Sequence, residues 1–218
     1  MTRSRARLAV SMALSMWALA GCGGLLESKL AAPQTYVLRL PANDAPEGEP
    51  TAGSVQVQRP EAGPGLDSNR IALLRSDHRF DFYAASLWAA PAPDVVESII
   101  VQALRGAGTF AAVFDDASPF APEYDLRVTL RRFEADYTAG GGAPTVHVVL
   151  DCTLGSHRDR VLLASFTAQG SARAGDDRLS AVVAAFESAS VTAVNELTRA
   201  VAAAIDARVR PAGVAGGR

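Results

Sequence analysis

The first half of the chain alternates short apolar stretches with residues that break secondary structure. Pro41, Pro60 and the turn Gly63-Pro64-Gly65 separate these stretches, and proline and glycine mark turns rather than strand interiors. The stretches have the length and apolar content of β-strands. The pattern therefore predicts five short strands, over Tyr36–Leu40, Ser54–Arg59, Ile71–Leu74, Phe80–Ala84 and Phe110–Phe114.

A longer alternation begins at Tyr124 and predicts three consecutive strands. Leu126, Val128 and Leu130 share one parity, but Phe133 falls on the polar parity, so a β-bulge at Arg131-Arg132 is expected to return it to the core. The return strand carries Val146 to Leu154 in alternation, and a third strand covers Val161 to Thr167. Short links between the three strands predict an antiparallel meander.

Two segments have helical periodicity. The first places apolar residues three and four apart after Pro91, with Asp94 and Glu97 spaced as a capping box at its start. The second runs from about Asp177 to Arg208, and its apolar stripe is interrupted at Ser190. Together the elements predict a single α+β domain, with a largely antiparallel sheet and two main helices packed on one face.

The first 21 residues have the three parts of an export signal. Three arginines (Arg3, Arg5 and Arg7) precede an apolar run of 13 residues, Leu8 to Ala20, which is too short to span a bilayer. Leu19-Ala20-Gly21-Cys22 then matches a lipoprotein cleavage site. We therefore expect a signal peptide at 1–21, lipidation of Cys22, a tether at 22–34, one domain at 35–207 and a disordered tail at 208–218.

Charge and cysteine content narrow the classes of function. Without the three leader arginines, the chain keeps 18 basic and 23 acidic side chains, a net charge of about −5. A mildly acidic chain offers no electrostatic reason to bind nucleic acid. Once Cys22 is acylated, Cys152 has no intramolecular partner, and its place in an alternating strand predicts a buried, inert thiol.

The sequence predicts no catalytic, metal or cofactor site. His78, His147 and His157 lie outside any metal-ligand spacing, and nucleophile-elbow, Walker and dinucleotide-loop motifs are absent from the sequence. Adjacent carboxylates such as Asp115-Asp116 point apart on a strand, so they make poor acid–base partners. We therefore predict a protein that is not an enzyme.

One group of residues is a candidate binding surface. It consists of Arg127, Arg131, Arg132 and Glu134 together with Tyr137, and it is either a solvated strand face with cross-strand ion pairs or a contact for a partner protein or lipid headgroup. Trp88, beside Pro91 at the start of the first helix, is either a packing anchor or, if exposed, a further contact residue.

Several stretches, in this order, resemble the ABC-type transport auxiliary lipoprotein component family. The most specific are Trp88-Ala89-Ala90-Pro91 and Arg132-Phe133-Glu134-Ala135-Asp136-Tyr137. The others are Tyr36-Val37-Leu38, Arg70–Leu74, Phe82–Leu87, Leu104–Phe110 and Ala184-Ala185-Phe186. The resemblance covers about residues 35–207.

The resemblance implies a non-catalytic accessory of a lipid transport system. Its partners would be an MCE-domain (mammalian cell entry) protein and an ABC permease with its ATPase, and the accessory itself could be a homo-oligomer. It would face the periplasm, held by acyl chains such as palmitate. Gly23, where an aspartate would signal inner-membrane retention, favours the outer membrane. A structural or regulatory envelope lipoprotein and a lipid-binding carrier remain as alternatives.

Overall fold

The computed structural model describes residues 32–41, 52–140 and 142–209. The predicted signal peptide, Cys22 and most of the tether lie outside these residues, as does the tail from residue 210. Contacts group the described residues from Pro33 onward into one compact unit. None of the helices in the described residues combines the length and the apolarity needed to cross a membrane.

The described residues form nine strands and two helices. The first six strands are β1 (Gln34–Tyr36), β2 (Ala52–Val57), β3 (Glu61–Ala62), β4 (Arg70–Leu74), β5 (Phe80–Trp88) and β6 (Phe110–Phe114). The others are β7 (Tyr124–Asp136), β8 (Thr145–Ser156) and β9 (Leu162–Arg173). The helices are α1 (Ala92–Gly106), between β5 and β6, and α2 (Leu179–Val209), after β9.

Strand β7 is the centre of a mixed sheet. Along one edge it pairs antiparallel with β8, which in turn pairs antiparallel with β9, so the predicted meander is confirmed. Along its other edge β7 pairs in parallel with β2, then β3, then β4. Strands β6 and β5 extend the sheet outward from β2 and β4, and β1 pairs with β5. The predicted α+β class is confirmed, with a mixed sheet and two helices.

The predicted β-bulge is present. The β7–β8 register shifts between Leu130 and Arg132, which leaves Arg131 as the extra residue. The shift returns Phe133 to the core, where only 1 % of its surface is exposed. The break in the alternation of apolar and polar residues before Phe133 is therefore caused by the bulge, because one extra residue moves every later side chain to the opposite face of the sheet.

The start of α1 differs from the prediction. The helix begins at Ala92, directly after Pro91, and no side chain caps it. Proline in the first turn costs little because the amide it lacks would have no helical partner there. Asp94 instead pairs with Arg59 at 2.5 Å, and Glu97 accepts a hydrogen bond from the amide of Asp116 at 2.8 Å. The predicted Asp94–Glu97 capping box is therefore wrong.

Several strands also differ in extent from their predictions. Strand β2 covers Ala52–Val57 rather than Ser54–Arg59, and β9 continues six residues beyond Thr167, to Arg173. The first strand covers Gln34–Tyr36 rather than Tyr36–Leu40, and Leu38 is buried without belonging to a strand. Strand β5 continues four residues beyond Ala84, to Trp88. Helix α2 ends at Val209, one residue beyond the predicted end and inside the segment predicted to be the tail.

Candidate interaction surface

The two helices cover one face of the sheet and leave the other face polar. Side chains of β7 alternate between buried apolar residues and outward polar ones, and the registers of β2, β8 and β9 continue this alternation across the sheet. We call the uncovered side the outer face. Its exposed or half-buried side chains include Gln56, Gln58, Arg127, Thr129, Arg131, Asp151, Thr153, Thr167 and Gln169.

The bulge separates two kinds of arginine on this face. Arg131 pairs with Asp151 of β8 at 3.3 Å, and Asp151 also accepts the Thr167 hydroxyl of β9 at 2.7 Å. Arg127 is exposed and has no ion pair among the described residues. Arg131 therefore fits the first alternative, a solvated strand face with cross-strand ion pairs. The guanidinium of Arg127, by contrast, is available to a ligand.

Arg132 and Glu134 belong to a partly buried charge cluster. The Arg132 guanidinium donates to Glu134 at 2.5 Å and to Asp136 at 2.9 Å, and the second Glu134 oxygen accepts the amide of Phe133 at 2.8 Å. Burial opposes the charge of Arg132, but its two acidic partners prevail and raise its pKa. Only 7 % of the Glu134 side chain is exposed, so Glu134 fixes Arg132 and the bulge rather than offering a contact.

His147 of β8 lies beside this cluster, with Nε2 3.9 Å from Asp136. Burial lowers the pKa of His147, and the charge of Arg132 lowers it further. A neutral imidazole is therefore favoured next to the Arg132–Glu134–Asp136 group.

Tyr137 lies at the end of β7, apart from Arg127. Its hydroxyl donates to Asp177 at 2.5 Å and lies 2.8 Å from the hydroxyl of Tyr83. Burial is the main cause that raises the pKa of Tyr137, and the hydrogen bond to Asp177 adds to it. This chain joins β5 and β7 to the segment before α2, beside an open cleft of about 740 Å³.

Trp88 is a core residue, which corrects its inclusion among candidate contact residues. Only 1 % of its surface is exposed. Its ring packs against Phe186 of α2 at 5.1 Å and against Phe133 at 5.7 Å between centroids. The alternative interpretation, a packing anchor at the start of the first helix, describes its position.

Sequence reasoning missed a hollow of about 620 Å³ at one end of the outer face. Arg127 lines it together with His157 and Arg160, which come from the turn between β8 and β9. His157 Nδ1 lies 2.8 Å from Asp125. The signal in the sequence was the basic turn His157-Arg158-Asp159-Arg160, but nothing local shows that it faces Arg127, more than thirty residues earlier.

No set of three metal-ligating side chains lies close together in the described parts of the chain. Cys152 is buried, and burial is the main cause that raises the pKa of its thiol to about 12. The predicted burial of this thiol is confirmed.

Comparisons with known proteins agree with the resemblance in the sequence. A model of the family described as ABC-type transport auxiliary lipoprotein component matches residues 36–205. A crystallised protein from Xanthomonas campestris is similar, with 27 % identity and a TM-score of 0.73 over 81 % of this chain and 98 % of that chain. An uncharacterised crystallised protein shares the fold at 15 % identity, with a TM-score of 0.62 over 78 % and 99 % of the two chains. No curated protein sequence matches significantly.

Proposed function

The chain belongs to the ABC-type transport auxiliary lipoprotein component family, and from this premise we propose that it is the non-catalytic lipoprotein of a lipid transporter. Its partners are an MCE-domain protein and the ABC permease with its ATPase. The family match over most of the chain carries the proposal. ATP hydrolysis by another subunit supplies the energy, since the sequence has no Walker motif.

The anchor in this proposal is an acylated Cys22, with palmitate among its chains. A multiply acylated end holds a protein stably because each buried methylene contributes about 0.8 kcal/mol. Gly23 after the cysteine supports the outer membrane, with the domain facing the periplasm. Substituting Cys22→Ala should move the protein from the membrane fraction to the soluble fraction. A variant that remains membrane-bound would refute the anchor.

The outer face is the proposed contact with the transporter. It is polar, it lacks a covering layer among the described residues, and it presents the unpaired Arg127 beside Thr129. Arginine suits such contacts because it joins apolar area to directional donors. Neighbouring hydroxyl and amide groups on β8 and β9 can form further hydrogen bonds with a partner. Because these groups are neutral, the contact does not require burial of additional charges.

Site-specific photocrosslinking tests this surface. A photoreactive amino acid at Thr129, on the outer face, should crosslink to an MCE-domain protein or its permease in intact cells. The matched control is the same amino acid at Arg199, which is exposed on α2 across the molecule. Equal yields from both positions, or no transporter subunit from either, would contradict the proposal.

The same experiment separates the alternative functions. Crosslinks from Thr129 to cell-wall proteins alone would favour a structural or regulatory envelope lipoprotein. Crosslinks between two copies of the chain would place the homo-oligomer interface on the outer face instead.

A lipid-binding carrier is less well supported. Trp88, Phe133 and Phe186 fill the space between sheet and helices. An apolar groove of about 260 Å³, beside Leu40 and Pro41, is below the range of about 300–1,000 Å³ usual for ligand pockets.

A further inference from the structure

Side chains from three strands and one turn line the hollow at the end of the outer face. Gln56 and Gln58 come from β2 and the residues after it, Arg127 from β7 and Thr153 from β8. His157 and Arg160 come from the turn that leads into β9. The hollow is open to solvent, and its volume of about 620 Å³ is that of a small-molecule site.

The two arginines of the hollow have no acidic partner among the described residues, whereas the nearby carboxylates do have partners. Asp125, whose carboxylate also lines the hollow, is paired with His157 at 2.8 Å. Asp159, in the same turn, accepts from Arg208 of α2 at 3.0 Å. Two guanidinium groups, those of Arg127 and Arg160, therefore line the hollow against the single carboxylate of Asp125. The excess of positive charge attracts an anion.

The backbone at Arg160 supports a use for its side chain. Its φ is +55°, in the left-handed region where glycine and asparagine are the favoured residues. A residue with a Cβ is more strained than glycine in this conformation. Arginine at this position therefore lowers the stability of the turn relative to glycine. Strain of this kind concentrates at functional positions.

We propose that this hollow binds a phosphate monoester or diester. A tetrahedral oxyanion offers several acceptor oxygens, which suits two guanidinium forks together with the Thr153 hydroxyl and the Gln58 amide. The amide of Gln56 already donates to the backbone carbonyl of Asp115 at 3.3 Å. A planar carboxylate would occupy one fork only. The inference stands on the hollow itself and does not depend on the transport role.

An apolar rim beside the donors bears on the source of the phosphate. Val161 and Leu162 follow Arg160 directly and are 47 % and 61 % exposed. Their exposure suits the non-polar part of an amphiphile whose phosphate lies between Arg127 and Arg160. A soluble phosphate ester would use the donors and leave this rim uncovered.

Calorimetric titration of the full mature chain in neutral detergent micelles tests the proposal. The probes are glycerol 3-phosphate, phosphatidic acid with two six-carbon chains, and acetate. Both phosphate esters should bind saturably, and acetate should bind at least about tenfold more weakly. Arg127→Gln and Arg160→Gln should each weaken binding about tenfold, the loss expected for one charge-assisted group.

Matched controls separate a lost ligand group from a damaged fold. Arg173→Gln removes an exposed arginine at the opposite end of β9 and should leave affinity unchanged within about twofold. Arg160→Gly should bind as weakly as Arg160→Gln but melt at a temperature no lower than the parent, because glycine relieves the positive φ.

The outcomes are distinct. Tighter binding of the lipid probe than of glycerol 3-phosphate identifies a headgroup site that extends over Val161 and Leu162, whereas equal affinities identify a site for soluble phosphate esters. Absence of saturable binding by either ester, or binding that both Arg127→Gln and Arg160→Gln retain, would overturn the proposal. Any of these results leaves the transporter contacts at Thr129 to be judged by crosslinking alone.

Discussion

Gly170 of β9 lies directly against the carbonyl oxygen of Ala189 in α2. A Cβ added at Gly170 would overlap that oxygen and would come within 2.9 Å of the amide nitrogen of Ala193. The small residues around this point, including the fully buried Ser190, let the helix backbone approach the strand closely. The interruption at Ser190 in the apolar stripe of α2 therefore lies beside this close contact between helix and sheet.

We expect Gly170→Ala to lower the free energy of unfolding by about 3 kcal/mol, the upper end for overpacking, because both neighbouring atoms are backbone and cannot rotate away. Urea unfolding followed by circular dichroism measures the change. Gly175→Ala is the matched control, since an added Cβ there meets nothing within 4 Å. If both variants lose the same stability, close approach at Gly170 is not the cause.

The aromatic group of Phe133, Phe186 and Trp88 should be the most sensitive part of the core. Phe133 is 1 % exposed, and its ring centroid lies 4.9 Å from that of Phe186. Phe133→Ala should cost about 3–5 kcal/mol because it opens a cavity between β7 and α2. Phe120→Ala, at a residue 66 % exposed, should change stability by about 0.5 kcal/mol or less in the same unfolding experiment.

Asp136 should make stability depend on pH in the acid range. Burial opposes its ionisation, but hydrogen bonds from Thr138 and the charge of Arg132 outweigh burial and lower its pKa below the ordinary 3.8. A lowered carboxyl pKa stabilises the folded state above the unfolded pKa of 3.8, and this contribution is lost as the pH falls through the folded value.

Thr138→Val removes the hydroxyl that donates to Asp136 at 2.6 Å and keeps the amide donor at 2.8 Å. We expect a loss of about 1–2 kcal/mol at pH 7 that disappears at an acid pH at which Asp136 is protonated. Denaturation at both pH values, with carboxyl titration by NMR, checks this expectation. A loss of equal size at both pH values would instead indicate packing by the Thr138 side chain.

Cys152 should be unreactive in the folded protein. With a pKa of about 12, only about one thiol in 10⁴ is ionised at pH 8, and 1 % of the residue is exposed. In the Cys22→Ala protein, which has Cys152 as its single thiol, Ellman's reagent should react only after urea is added. Rapid labelling without denaturant would mean that β8 opens readily.

Local patterns in the sequence correctly predicted several elements of the fold. The alternation after Tyr124 predicted the β7–β8–β9 meander, and the change of parity at Phe133 predicted the bulge at Arg131. Both predictions succeeded because the alternation of side chains along a strand depends only on residues that are close in sequence. The apolar stripes predicted both helices, whereas the Asp94 capping box failed because Arg59, which is distant in sequence, pairs with that carboxylate.

Which segments meet depends on long-range packing and could not be predicted from local patterns. The parallel pairing of β2, β3 and β4 along one edge of β7 depends on crossovers, which leave no periodic signal in the strands themselves. Among the candidate residues, the fold buries Trp88, pairs Arg131 with Asp151 and leaves Arg127 without an ion pair among the described residues, in the same hollow as Arg160. Alternation along a strand predicts which side chains face outward, but the partner that each outward charge meets depends on the neighbouring strands.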